Sequence, residues 1–216
     1  WLAEFCKPFP DRLKGIALLN TDDLESGVKE LERCAKMGLG SAMIPVVPLP
    51  RMDYHLPEYD ILWAAAQDLQ MPLSLHVTTI RPGPDREAVG GGGTQSPASS
   101  CNSDHWVRMS LAHIIFSGVF HRFPKLQIGA VEHELAWVPH FLSRLDYTYT
   151  QRVLREEWWD RYARDRLPSE YYYSNVFVGF QEDGLGIKMR DIIGVDNLMW
   201  GSDYPHAEST FPRSRQ

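Results

Sequence analysis

The sequence predicts an α/β protein built on a parallel sheet, and three observations carry that prediction. Six short apolar runs of strand character alternate with stretches of helical spacing. Each run returns only after a helix has been crossed, which makes the strands parallel and the crossovers right-handed. The composition, 44% apolar and 23% charged over 216 residues, is that of one globular core. The alternation by itself leaves open whether the sheet closes into a barrel.

The first run, RLKGIALLN (12–20), reads as a buried strand. TDDLESGVKELERCAKMG follows with apolar positions at Leu24, Val28, Leu31 and Ala35, the period of a helix. Asp22 with Glu25 forms a capping box, and Gly38 is a C-terminal stop. SAMIPVV (41–47) is the second strand, with pairing expected to finish by Pro45 because proline cannot donate to a ladder. PEYDILWAAAQDLQ (57–70) is an amphipathic helix, and PLSLHVTT (72–79) the third strand.

Residues 80–102 are rich in Gly, Pro and Ser and lack periodicity, so they are either a disordered connection or a lid over a site. Asn102 or Ser103 caps the next helix, which ends before Pro124, and KLQIGAVEH (125–133) is the fourth strand. The stretch from Glu134 to Pro168 is helical in two pieces broken at Pro139. In its second half Leu154, Trp158 and Tyr162 form an apolar stripe, and Glu157/Arg161, Asp160/Arg164 and Arg161/Asp165 form a solvated charged face. YSNVFVGF (173–180) is a strand, QEDGLGIKMRDIIG a weak helix ending at Gly194, and NLMWGSD (197–203) the last strand.

Charge and cysteine usage exclude several functions. The 22 Lys+Arg against 28 Asp+Glu give a formal net charge of −6 without a basic block, so nucleic acid is not an expected partner. Cys6, Cys34 and Cys101 are widely spaced and odd in number, which fits a reducing cytoplasm rather than a disulfide framework. No run approaches the ~20 apolar residues of a membrane span, and no G-x-S-x-G elbow points to a serine hydrolase.

Three positions carry chemistry. Strand alternation places Ser74, His76 and Thr78 on one face, a polar face that an all-apolar core strand would not have. Asp203 ends the last strand, where parallel strands present their sites, although capping a following helix would also explain it. In VEHE (131–134), Glu132 and His133 point to opposite faces if the strand continues, so one of them reaches the site; His133 is favoured as a proton shuttle near neutral pH. His55, His105, His113, His121 and His140 read as structural or surface histidines, and Gly90–Gly93 as a linker.

The segments LERCAKMGLGSAMIP, YDILWAAAQDLQMPLSLHV, FSGVFHRFPKLQIGAVEHELAWVPHFLSRLD, PSEYYYSNVFVGF and IIGVDNLMWGSDYPHAEST, in this order, resemble the amidohydrolase-related family. That branch includes aminocarboxymuconate semialdehyde decarboxylase, resorcylate-type decarboxylases and many hydrolases. The resemblance implies a metal-dependent (β/α)8 TIM barrel. His76 matches the family's strand-5 metal ligand, Asp203 the strand-8 aspartate that completes the metal site and takes part in catalysis, and His133 the strand-6 acid–base histidine. Where relatives carry a Glu-Gly-Gly pattern instead, Glu132 is the match. The implied cofactor is one divalent metal, Zn²⁺ first and Mn²⁺ second.

The leading expectation is a metal-dependent hydrolase of a small carboxylate-bearing or aromatic molecule, working as a homodimer. Nonoxidative decarboxylation is the alternative, and an inactive fragment or pseudoenzyme a further one. The family's first-strand His-x-His or Glu-x-His is not in the sequence. Matched strand by strand, residues 1–216 are one partial barrel domain, lacking strands 1–2 and the last helix, with too few ligands for tight metal binding alone.

Overall fold

The computed structural model describes residues 1–81, 96–152, 162, 165–207 and 209–215, and in it the six apolar runs form one sheet. After the short helix α1 (Leu2–Cys6), β1 (Ile16–Leu18) leads into α2 (Leu24–Lys36). The helix is capped one residue later than the Asp22/Glu25 spacing predicts. Asp23 accepts the Ser26 N–H at 3.2 Å, while Asp22 receives the Arg81 Nε–H at 3.0 Å from the end of the third strand. Gly38 ends α2 as expected: its φ of +86° favours glycine, and the Gly38 and Leu39 N–H groups return to the Ala35 and Cys34 carbonyls.

Pairing between β2 (Ser41–Val47) and β3 (Leu73–Ile80) does not stop at Pro45. Pro45 stands opposite His76, and the register shifts between Pro45 and Val47. The Thr79 hydroxyl accepts the Val46 N–H at 2.7 Å, so a side chain replaces a ladder partner and a bulge absorbs the proline. Between these strands lie a 3₁₀ turn, Pro57–Tyr59, and α3 (Asp60–Asp68).

Residues 82–95 of the predicted Gly/Pro/Ser-rich loop lie outside the described residues. They are followed by α4 (Pro97–Ser100), α5 (His105–Phe116) and α6 (Val119–Arg122). Neither Asn102 nor Ser103 caps α5. Asp104 holds that position without a side-chain cap bond, its carboxylate being drawn to Arg108 at 2.8 Å.

β4 (Ile128–Val131) is shorter than predicted, so Glu132 and His133 lie beyond it. Pro139 starts α7 (Val138–Gln151) rather than splitting a longer helix, because its missing N–H costs nothing in a first turn. The predicted stripe at Leu154 and Trp158 and the charge pairs at 157–164 lie outside the described residues. α8 (Pro168–Asn175) takes residues 173–175 from the predicted strand and leaves β5 (Val176–Phe180). α9 (Gly184–Lys188), α10 (Arg190–Ile193) and β6 (Leu198–Trp200) complete the order.

The six strands are parallel and neighbour one another in chain order. A doubly wound sheet reverses its strand order at a switch point; this one never does, which is the winding of a barrel wall. Leu18, Met43, Ser74, Gly129 and Phe177 stand side by side across five strands. A Cβ on Gly129 would meet the Phe177 ring at 2.3 Å, so glycine makes room for that ring. The core between sheet and helices holds the fully buried Trp63, Tyr54, Tyr59, Leu62, Leu73, Leu75 and Leu111. No helix among the described residues is long and apolar enough to cross a membrane.

Candidate active site

The C-terminal ends of β3, β4 and β6 converge on one cavity of about 620 Å³, lined among others by His76, Glu132, Glu134, Gln181, Asp203 and His206. His76 lies two residues beyond Ser74 on β3 and so shares its face of the strand. Its Nδ1 donates to the Val77 carbonyl at 2.7 Å, and its Nε2 lies 2.8 Å from Glu132 Oε1. The Glu132 carboxylate raises the His76 pKa, and His76 in turn lowers that of Glu132. A ring fixed through Nδ1 on a backbone carbonyl is the tautomer in which Nε2 serves a metal.

Asp203 lies three residues past the end of β6. Its Oδ2 is 3.0 Å from His206 Nδ1, and its carbonyl accepts the His206 N–H, so it closes a turn rather than capping a helix. Burial, and then the nearby Glu132 carboxylate, push its pKa up. Glu132 and Asp203 therefore sit side by side with their affinities for a proton driven apart. His76 and Asp203 offer a nitrogen and an oxygen donor from two strand ends to the same cavity, a set that suits a borderline divalent cation such as Zn²⁺ or Mn²⁺. They fit as part of a ligand shell.

His133 occupies a different place. It is 3% exposed, its Nδ1 donates to the Ser103 carbonyl at 3.1 Å, and its Nε2 has no hydrogen-bond partner among the described residues. Burial lowers its pKa to about 4, so it is a neutral base at physiological pH. It lines a second cavity of about 140 Å³ with Val46, Val77, Thr78, Ser103 and Trp106, and Val77, Thr78 and Ser103 also line the larger cavity. A third hollow of about 230 Å³ beside Glu132 and Asp203 is walled by Phe177, Phe180, Met199 and Trp200.

Sequence reasoning missed how the backbone aims these groups. Thr78, Glu132, Glu134 and Asp203 all have positive φ, between +55° and +67°, and all line the larger cavity. Left-handed backbone at non-glycine residues costs energy and tends to gather at functional sites. Asp183 also escaped notice: its carboxylate accepts the N–H groups of Leu135, Ala136 and Gly186 at 2.7–2.8 Å, tying the Glu132–Glu134 bend to the start of α9. Burial alone would raise its pKa, but these bonds together lower it. No spacing rule marks such a residue.

Comparison with known proteins agrees with this architecture. The Amidohydrolase family profile matches residues 1–216. Gamma-resorcylate decarboxylase of Polaromonas sp. (strain JS666) is 26% identical over 221 residues, covering 95% of this chain and 64% of that protein. The crystal structure of 2,6-dihydroxybenzoate decarboxylase from Rhizobium superposes with a TM-score of 0.72 at 21% identity, covering 94% of this chain and 64% of its own. That of 5-carboxyvanillate decarboxylase from Novosphingobium aromaticivorans, complexed with manganese and 4-hydroxy-3-methoxy-5-nitrobenzoic acid, gives 0.71 at 25% identity, covering 94% of this chain and 58% of its own. The chain thus spans about 64% of the curated relative it matches.

Proposed function

The chain belongs to the amidohydrolase family, and on that premise we propose that the protein of which it forms part is a metal-dependent, nonoxidative decarboxylase of hydroxylated aromatic acids. This reverses the order of expectation drawn from sequence, which put hydrolysis first. The decarboxylase names of the relatives that cover about 95% of the chain move it ahead. The observation that carries the proposal is the cavity at the strand ends, where His76, Glu132 and Asp203 meet beside an aromatic-walled hollow.

We assign His76 and Asp203 to the metal, and Asp203 and His133 to catalysis, within a single domain spanning residues 1–216. His76 and Asp203 would hold a divalent ion, Mn²⁺ or Zn²⁺, which would supply positive charge against the bound acid. The hollow walled by Phe177, Phe180 and Trp200 takes the ring. Asp203, whose proton affinity is raised by burial and by the neighbouring Glu132 charge, passes a proton from water to the ring carbon bearing the carboxylate. The carbon–carboxylate bond then breaks, its electron pair returns to the ring, and CO₂ leaves. One proton is consumed per turnover, and Asp203 recovers it from water. Neutral His133, which lines the adjoining cavity that shares Val77, Thr78 and Ser103 with the larger one, is the acid–base group on that side of the site. A cytoplasmic homodimer is part of the same proposal.

The test is turnover of hydroxybenzoate-type acids against esters, lactones and amides. Release of CO₂ from the acids without turnover of the others is expected. Hydrolysis of the others without CO₂ release would overturn the proposal.

A further inference from the structure

A second group of donor atoms lies away from the strand-end cavity. Asp53 and His55, on the segment between β2 and the turn at Pro57, meet His113 of α5, and one ligand atom from each lies within 4.8 Å of the other two. Among the described residues it is the one such trio of His, Cys, Asp and Glu donors. None of the three lines any of the cavities described above. The two imidazole rings stand 5.0 Å apart at 68°.

The supports of the trio are rigid. Tyr54, fully buried between Asp53 and His55, donates its hydroxyl to the Pro45 carbonyl at 2.5 Å. Tyr59 donates to the Met52 carbonyl at 2.8 Å, closing the loop on its other side. Ser110, one helical turn before His113, donates to the Val46 carbonyl at 2.5 Å. The loop and the helix are therefore pinned to adjacent carbonyls of β2, which fixes the relative position of the donors. Burial also lowers the His113 pKa and favours the neutral ring that a metal requires.

From this convergence of Asp53, His55 and His113 on two pinned elements, we propose a second metal site, taking a divalent transition ion of the Zn²⁺ class through two imidazoles and one carboxylate. Three protein donors leave a fourth position for water, and ligand atoms of a tetrahedral Zn²⁺ stand about 3.4 Å apart for bonds of ~2.1 Å. The three donor atoms lie within 4.8 Å of one another, and a bound ion would draw them toward that value. The bound ion would clamp the β2–α3 segment to α5, a structural duty separate from the chemistry at His76 and Asp203.

The experiment uses the protein with His76→Asn and Asp203→Asn to silence the strand-end site, and measures Zn²⁺ and Co²⁺ binding by chelator competition and Co²⁺ absorption. One equivalent retained, with a rise in melting temperature on adding Zn²⁺, is expected. Asp53→Asn, His55→Gln or His113→Gln should each weaken it at least about 100-fold, beyond the 10–100-fold typical of outer partners. If His113→Gln fails to fold, Asp53→Asn and His55→Gln on the loop decide. No binding in the silenced protein, or binding unchanged by these loop substitutions, overturns the proposal.

Discussion

Replacing His133 by Gln should flatten the acid limb of the protein's stability. The native imidazole titrates at about 4, against 6.5 when unperturbed, because burial disfavours its charged form. Between those values the unfolded chain binds a proton that the folded chain refuses, so stability is intact above the unfolded pKa and falls as pH drops toward the folded one. At 1.36 kcal/mol per unit, the loss reaches ~2 kcal/mol by about pH 5 and ~3 kcal/mol by about pH 4. Every histidine titrates in the unfolded state, so the informative quantity is the difference between wild type and variant. Urea unfolding of both at about pH 8 and about pH 5, with a chelator present, should show the wild type losing ~2 kcal/mol more than His133→Gln. Parallel losses would mean that His133 takes up its proton in the folded state, and the reading of a buried neutral base would be refuted.

Other substitutions probe the supports. Gly129→Val should drive the Phe177 ring from its seat into the neighbouring hollow, lowering stability by about 1–3 kcal/mol and raising KM for an aromatic acid more than it lowers kcat; denaturant midpoints and steady-state kinetics check it. Asp183→Ala should cost about 2–3 kcal/mol by stripping an acceptor from the Leu135, Ala136 and Gly186 N–H groups, read as a fall in melting temperature, while Asp183→Asn recovers part of it.

That His76 and Asp203 line one cavity was legible from the polar Ser74–His76–Thr78 face of one strand and from the carboxylate that follows the last. The strand–helix alternation was legible for the same periodic reason, and the sequential neighbour order had to come from the structure. Other features lay outside any local rule. The cap moved from Asp22 to Asp23 because Arg81, remote in sequence, captures Asp22. Pro45 stays in a paired strand because the Thr79 hydroxyl takes the place of a ladder bond. The bends at Thr78, Glu132, Glu134 and Asp203 carry none of the glycines that usually announce positive φ. His55 and His113 read as bland residues since one sits on an aperiodic loop and the other on a helix, and only tertiary packing brings them to Asp53.

In the proposed reaction Asp203, which lines the same cavity as Glu132 and His76, delivers the proton that replaces CO₂ on an aromatic ring. The most direct measurement of that step is the single-turnover rate of CO₂ release from a hydroxybenzoate by the metal-loaded protein, in wild type and in Asp203→Asn, with bound metal and bound acid quantified in parallel. Among variant molecules that retain metal and acid, CO₂ release is expected to be at least about 100-fold slower, the scale of a lost general acid. An Asp203→Asn protein that holds metal and acid and releases CO₂ at the wild-type rate would contradict it.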